Sequence, residues 1–442
     1  MKNKGNLSNA ILELKNDKNN AICHVFENVK LKNEGLLANT VFTVKDNYAD
    51  LNVEATGSSL LLKNFKPNYE ATILKLLRNA GASCVARTNL DEFGLGGSGE
   101  YSSAGIIKNP LNNDYLVGGS SSGAAASFSS NISFAIGSDT GDSVRKPASN
   151  IGVVGFKPSY GAISRYGLYA FASSLDTVAY FSHNVLDSAY VTSVLFKQDL
   201  KHDLTSLDLS FDIQEIKETK PQKVAYLDCF NYVSEAIKNS YQELLNKLKN
   251  EGVELVKIEV NESLLNAIDV VYKVISFSEA SSNLANLTGV EFGNRLEGEN
   301  WEQTYLKTRS ELLGKMVQSR LILGSLFLSQ ENQIKYFVKA KKMRRYLSNY
   351  FTEIHKKADI FIYPAANDVA PKFNERYEGN FMDFILTNAN LTGNPSLTLK
   401  LGNDKQKDNM PFNLAIDAEL YQDKKLLNHA LYIEKIIGDK NE

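Results

Sequence analysis

Cysteine is scarce: Cys23, Cys84 and Cys229 are the only three, odd in number and widely spaced. Such usage excludes a disulfide framework, fits no metal-ligand spacing and suits a reducing compartment. A surplus of one charge is also missing. Lysine and arginine number 49 against 51 aspartates and glutamates, for a net charge of −2 and a pI near 6.3. No global basic field is there to grip nucleic acid, so any RNA contact is delegated to another chain. No run approaches the ~20 apolar residues that span a bilayer. The polar, lysine-rich stretch from Met1 to Asn20 lacks the apolar segment and small-residue cleavage site of a signal peptide. A cytoplasmic protein without a membrane partner is expected.

What the chain does have is a concentration of small residues. Gly118 to Arg145 packs nine serines and five glycines into 28 positions. Glycine permits close backbone approach and serine brings a hydroxyl that can donate, accept or attack. The apolar punctuation at Phe128, Ile132, Phe134 and Ile136 argues against a flexible linker, and the missing Gly-Lys-Ser/Thr ending argues against a phosphate-binding loop. Two serine loops, Gly118 to Ser122 and Ser138 to Ser143, therefore flank a small-residue helix at Gly123 to Ser130 and a strand at Phe134 to Ile136.

Elsewhere helix and strand alternate. Strands are expected at Asn20 to Phe26, Leu37 to Val44, Ser83 to Ala86 and Ile151 to Phe156. Tyr69 to Ala80 carries apolar residues at helical spacing and stops at Gly81. Lys223 to Asp228, Ser234 to Asn250 and Val253 to Val260 read as a β-α-β unit. Ser263 to Leu287 and Met316 to Lys356 read as helical, the latter ending in a basic run expected to face solvent. Asp359 to Tyr363, Ser396 to Lys400 and Asn413 to Ile416 return to strands before a last helix near Lys425 to Ile437. The whole of residues 1–442 is taken as one α/β domain, with the polar stretch 197–222 as a surface excursion.

Serine needs a base, and none of the five histidines lies within the serine loops. Lys45, at the end of the second expected strand, has two readings. By position it marks the strand's exit to solvent, since lysine is rarely buried. If desolvated it becomes a neutral amine, able to act as a base with one serine relaying the proton to another.

Gly118-Gly119-Ser120-Ser121-Ser122-Gly123 and Gly137-Ser138-Asp139-Thr140-Gly141-Asp142-Ser143-Val144-Arg145-Lys146-Pro147 resemble the amidase signature family. The resemblance implies an amidase signature fold, a large mixed β-sheet covered by helices on both faces. It implies a catalytic triad of Lys45 as base, Ser120 in a cis peptide bond as relay and Ser143 as nucleophile. The backbone N–H groups of Thr140, Gly141 and Asp142 up to Ser143 would form the oxyanion hole. Asp142 stands where the family carries glycine, and its side chain is expected to point away from Lys45. Tyr101 and Val117 replace a usual asparagine and proline, and Ser120 and Ser143 are 23 positions apart, one fewer than usual.

Arg87 to Phe93, Val154 to Gly161, Ser164 to Leu168, Ala172 to Asp176 and Glu279 to Leu284 are similar to one branch, the A subunits of glutamyl/aspartyl-tRNA amidotransferases. That resemblance implies a glutaminase with Arg320 for the α-carboxylate of glutamine, Asp383 for its α-ammonium and Tyr272 as a further pocket residue. It implies B and C partner subunits, ATP and magnesium in the B subunit, misacylated tRNA held by that subunit, and no metal in this chain. A stand-alone amidase on small or fatty amides and a catalytically silent scaffold are the alternatives.

Overall fold

A computed structural model describes residues 1–375 and 379–438. Its strands, in chain order, are β1 (Ile22–Val25), β2 (Thr40–Lys45), β3 (Ala82–Thr88), β4 (Phe134–Asp139), β5 (Val154–Lys157) and β6 (Thr177–Ser182). They continue with β7 (Lys223–Leu227), β8 (Glu254–Ile258), β9 (Ile360–Pro364), β10 (Ser396–Asp404) and β11 (Met410–Asp417). Among the described residues these strands form one mixed sheet in the order β1-β3-β2-β4-β6-β5-β10-β11-β9-β7-β8. β2, β4, β6 and β11 are buried at every residue, so both faces of the sheet are covered there.

The covering helices are α1 (Leu7–Lys15), α2 (Thr72–Asn79), α3 (Ser122–Ala126), α4 (Arg145–Ile151), α5 (Val185–Leu195) and α6 (Glu235–Asn250). They are followed by α7 (Glu262–Asn283), α8 (Trp301–Leu312), α9 (Lys315–Leu328), α10 (Lys339–His355), α11 (Asn388–Thr392) and α12 (Asp423–Gly438). α6 buries Ile237, Tyr241, Leu244, Leu245 and Leu248, the stripe its spacing predicts, and links the parallel strands β7 and β8. Among the described residues no helix is long and apolar enough to cross a membrane.

Several elements differ from the sequence expectation. The polar N-terminus contains α1, capped by Asn6 and burying only Ala10 and Leu14. The helix expected over Gly123 to Ser130 ends at Ala126. Ile151 closes α4 instead of opening a strand, because Gly152, at φ +72°, reverses the chain before β5 begins at Val154. The long helix expected from Met316 is divided into α9, a π-turn over Ile334–Val338 and α10. β6 and α5, unanticipated in the sequence, are buried on almost all sides, which leaves no amphipathic period to read. The stretch 197–222 runs over the surface, tied back where the Asp199 carboxylate accepts from Thr72 Oγ1 (2.6 Å) and Ser164 Oγ (2.8 Å).

What places the site is the β2–β4 pair. The two strands run parallel, with Phe42 opposite Phe134 and Val44 opposite Ile136, and the two phenyl rings stack at 5.1 Å. Parallel neighbours end on the same side of a sheet, so Lys45 and Ser138 emerge together at the carboxyl edge, where open α/β sheets bind ligands.

Candidate active site

Lys45 is fully buried, which overturns its positional reading as a strand's exit to solvent. The strand does end there, but the loops after β3 and β4 cover it. Its Nζ lies 2.8 Å from Ser120 Oγ, 2.9 Å from Ser138 Oγ and 3.4 Å from the Ser138 carbonyl. Burial pulls the amine down to about 7, although Asp91, Asp139 and Asp176 act to raise it. At neutral pH a large share of Lys45 is therefore the free amine.

The peptide bond between Gly119 and Ser120 is cis. Gly119 is required by close approach, because a Cβ there would collide with the Asp91 carboxylate. That carboxylate accepts from the N–H groups of Gly97 (2.7 Å), Gly99 (3.2 Å) and Tyr101 (2.9 Å). Asp91 thus holds the loop after β3 against the serine loop, and neither its role nor that of Ser138 was singled out in the sequence.

Ser143 is buried, and its carbonyl accepts from the Ser121 N–H at 3.1 Å, which joins the two serine loops. The loop carrying it is framed by a buried ion pair. Arg145 Nη2 lies 3.0 Å from Asp139 Oδ1 and also donates to the Gly141 carbonyl at 2.8 Å, while Asp139 Oδ2 accepts from the Val144 N–H. Thr140 Oγ1 donates to Asp176 Oδ1 at 2.7 Å. Among the described residues, the N–H groups of Gly141, Asp142 and Ser143 donate to no protein acceptor. Backbone donors left open beside a serine hydroxyl can receive an oxyanion.

Ser143 opens onto a cavity of about 550 Å³ whose lining includes Asp142, Lys146, Tyr272, Phe277, Arg320 and Asp383. The structure therefore brings the three pocket residues expected from the sequence to the same space as Ser143. Arg320, on α9, donates from Nη2 to the Gly96 carbonyl at 3.2 Å and lies over the Phe277 ring at 5.0 Å. Its Nε and Nη1 are buried without a protein acceptor among the described residues, a pattern suited to an incoming carboxylate. Asp383 Oδ2 accepts from the Asn380 N–H at 2.9 Å, and Lys146 Nζ stands 3.8 Å from Asp383 Oδ1. Tyr272 covers the nucleophile loop so closely that a Cβ on Gly141 would come within 3.0 Å of its ring. Asp142 faces this cavity and not the lysine, as expected: the charges acting on Lys45 come from Asp91, Asp139 and Asp176.

The sequence model of the Amidase family matches residues 6–427. This chain belongs to the amidase family. As an amidase it is 37% identical over 417 residues to the A subunit of the glutamyl-tRNA(Gln) amidotransferase of Mycoplasma genitalium, covering 91% of this chain and 87% of that relative. Its counterpart from Mycoplasma pneumoniae is 38% identical over 422 residues, covering 92% and 88%. The crystal structure of the glutamyl-tRNA(Gln) amidotransferase A subunit from Thermotoga maritima superposes with a TM-score of 0.80 at 31% identity, covering 97% of this amidase and 91% of that chain.

Proposed function

We propose that this amidase is the glutamine-hydrolysing A subunit of a tRNA-dependent amidotransferase. The observation that carries the reading is the buried Lys45 amine 2.8 Å from Ser120, beside a Ser143 that shares its cavity with Arg320 and Asp383. The named relatives support the choice of substrate.

In this reading Arg320 receives the α-carboxylate of glutamine and Tyr272 closes the pocket over the Gly141 turn. Neutral Lys45 takes the proton of Ser120 while Ser120 takes that of Ser143, and Ser143 Oγ attacks the side-chain carboxamide carbon. The carbonyl oxygen becomes an oxyanion facing the N–H groups of Thr140 to Ser143. The proton returns along the same path to the leaving nitrogen, ammonia departs, and an acyl-serine remains. Water then loses its proton along the same relay and attacks the ester, releasing glutamate and restoring Ser143.

The ammonia passes to a B subunit that activates the side-chain carboxyl of Glu-tRNA(Gln) or Asp-tRNA(Asn), with a C subunit completing a cytoplasmic heterotrimer. ATP and magnesium belong to the B subunit, and this chain requires no cofactor. The test is ammonia release from glutamine, and amidation of both misacylated tRNAs, by the complex purified with its partners. Ser143→Ala is expected to release none; glutamine hydrolysis by that variant at the wild-type rate overturns the assignment.

A further inference from the structure

One loop touches both the serine loop and the helix that carries Arg320. The segment after β3 supplies Asp91, which holds it to the serine loop, and Gly96, whose carbonyl accepts from Arg320 Nη2. Between them stands Glu92, a side chain that the reaction above does not use. It is buried, and among the described residues no cation is paired with it. A carboxyl in that setting costs stability that an apolar side chain of its size would not. What it supplies is a tie between segments remote in the sequence.

Glu92 Oε2 accepts from the N–H of Gly314 at 2.7 Å, and Oε1 accepts from the buried Ser59 Oγ. Gly314 is the N-cap of α9, and having no side chain it cannot cap that helix itself. Close approach requires the glycine, because a Cβ on it would lie 2.5 Å from Glu92 Oε2. The middle of α9 rests on α7, where a Cβ on Gly324 would collide with the Phe277 carbonyl. Arg320 sits between these two supports, with its Nε and Nη1 open to the substrate. A helix start shifted by about 1 Å shifts those donors too, and misplacement on that scale costs up to about 10²-fold. Burial pushes the Glu92 carboxyl up to about 7, against the pull of Ser59 and Gly314. The tie survives either state, since a protonated carboxyl still accepts from Gly314 through its carbonyl oxygen and donates to Ser59 with its O–H.

We infer that Glu92 is a positioning residue for substrate recognition: by holding the start of α9 to the loop after β3, it fixes Arg320 relative to the serine loops. The inference rests on the glutaminase reading, in which Arg320 receives the α-carboxylate. It makes the loop after β3 a joint, with Asp91 fastened to the serine loop and Glu92 to α9.

The test measures kcat and KM of the complete complex for glutamine, and kcat/KM for butyramide, which lacks both α-groups. Glu92→Ala is expected to raise the glutamine KM on the order of tenfold, the scale of a hydrogen bond to a charged group, with kcat and butyramide hydrolysis within about twofold of wild type. Glu92→Gln keeps an acceptor for Gly314 and a donor for Ser59, and is expected to hold the glutamine KM within about twofold. In an Arg320→Ala background Glu92→Ala is expected to add nothing further, because the residue acts through the arginine. Gly314→Ala strains the same contact from the α9 side and is expected to raise the glutamine KM in the same way; it decides the matter if Glu92→Ala fails to fold. A glutamine KM unchanged in Glu92→Ala and Gly314→Ala, a Glu92→Gln as impaired as Glu92→Ala, equal losses on both amides, or a full additional loss in the Arg320→Ala background overturns the positioning role while leaving the glutaminase reading in place. A wild-type complex that hydrolyses no glutamine overturns the reading and the role together.

Discussion

The floor and the rim of the cavity are made differently. The floor is the carboxyl edge of β2 and β4 with the two serine loops: Lys45, Ser120, Ser143, Asp139 and Arg145 are all buried. The rim, contributed by α7, α9 and the segment around Asn380 to Asp383, places half-buried Tyr272, Arg320 and Asp383 around the opening. The contrast suits the two tasks that the proposed function assigns them. A lysine loses its proton near neutrality only where water is excluded, so the floor is built of side chains small enough to close around it. Recognition of a zwitterion requires charges that a substrate can reach and desolvate on arrival, so the rim stays partly wet.

If that division holds, damage to the floor removes the reaction and damage to the rim changes its substrate. The largest effect is expected from Lys45 and Ser143. Ser143→Ala, Lys45→Ala and Lys45→Arg should each lower kcat/KM for glutamine by about 10³-fold or more, measured as ammonia release. Lys45→Arg is the informative member, because it keeps the cation but cannot deprotonate; near-normal turnover in it would mean that the floor works through charge alone.

Next comes the frame of the floor. Arg145→Met leaves Asp139 charged and unpaired in the interior, and should cost about 3–5 kcal/mol of stability, read from the denaturant midpoint. A change below about 1 kcal/mol would show that the loop does not depend on this pair. On the rim, Arg320→Ala should reduce kcat/KM for glutamine by about 10- to 100-fold, the worth of hydrogen bonds to a charged group, while leaving butyramide hydrolysis nearly unchanged. Equal losses on both amides would move Arg320 from recognition to structure.

The pH profile separates the walls more gently. The base is active only as the free amine, so hydrolysis should fall about tenfold per unit below pH ~7 and level off above it, following the depressed Lys45. A plateau persisting to pH ~5 would exclude Lys45 as the base. The smallest expected effect is at Lys341, exposed on α10 and not among the residues lining the cavity: Lys341→Ala should leave kcat and KM within about twofold, the ordinary range for a surface change.

Much of the floor's chemistry was legible in the sequence, because the Gly-Ser-rich motifs are local and contiguous: Ser120 and Ser143 lie within 28 positions whose composition no ordinary core segment has. The frame was not. Asp139 and Arg145 stand in the quoted motif without any sign that they pair until the fold turns them toward each other, and Asp91 becomes a clamp only because β3 and the serine loop end side by side. On the rim, Arg320 and Asp383 were named through the family resemblance; their spacing of 63 positions contains no local signal that they share a cavity. The basic run on α10 did stay largely solvated, yet Arg344 within it turns inward to donate to Ser174 Oγ and the Leu391 carbonyl.

By itself the sequence determined what local periodicity and residue chemistry can encode: the β7-α6-β8 unit, the amphipathic stripe of α2, the end of β2 at Lys45 and the placing of hydroxyls in two small-residue loops. Only the tertiary structure decided the state of Lys45. Its position at a strand's end is equally compatible with water and with a dry pocket, and protonation depends on which atoms surround the amine, not on its neighbours in the chain. The same holds for Asp142. Whether a carboxylate beside the nucleophile weakens the base depends on the direction of one side chain, and only the folded chain places Asp142 on the cavity wall.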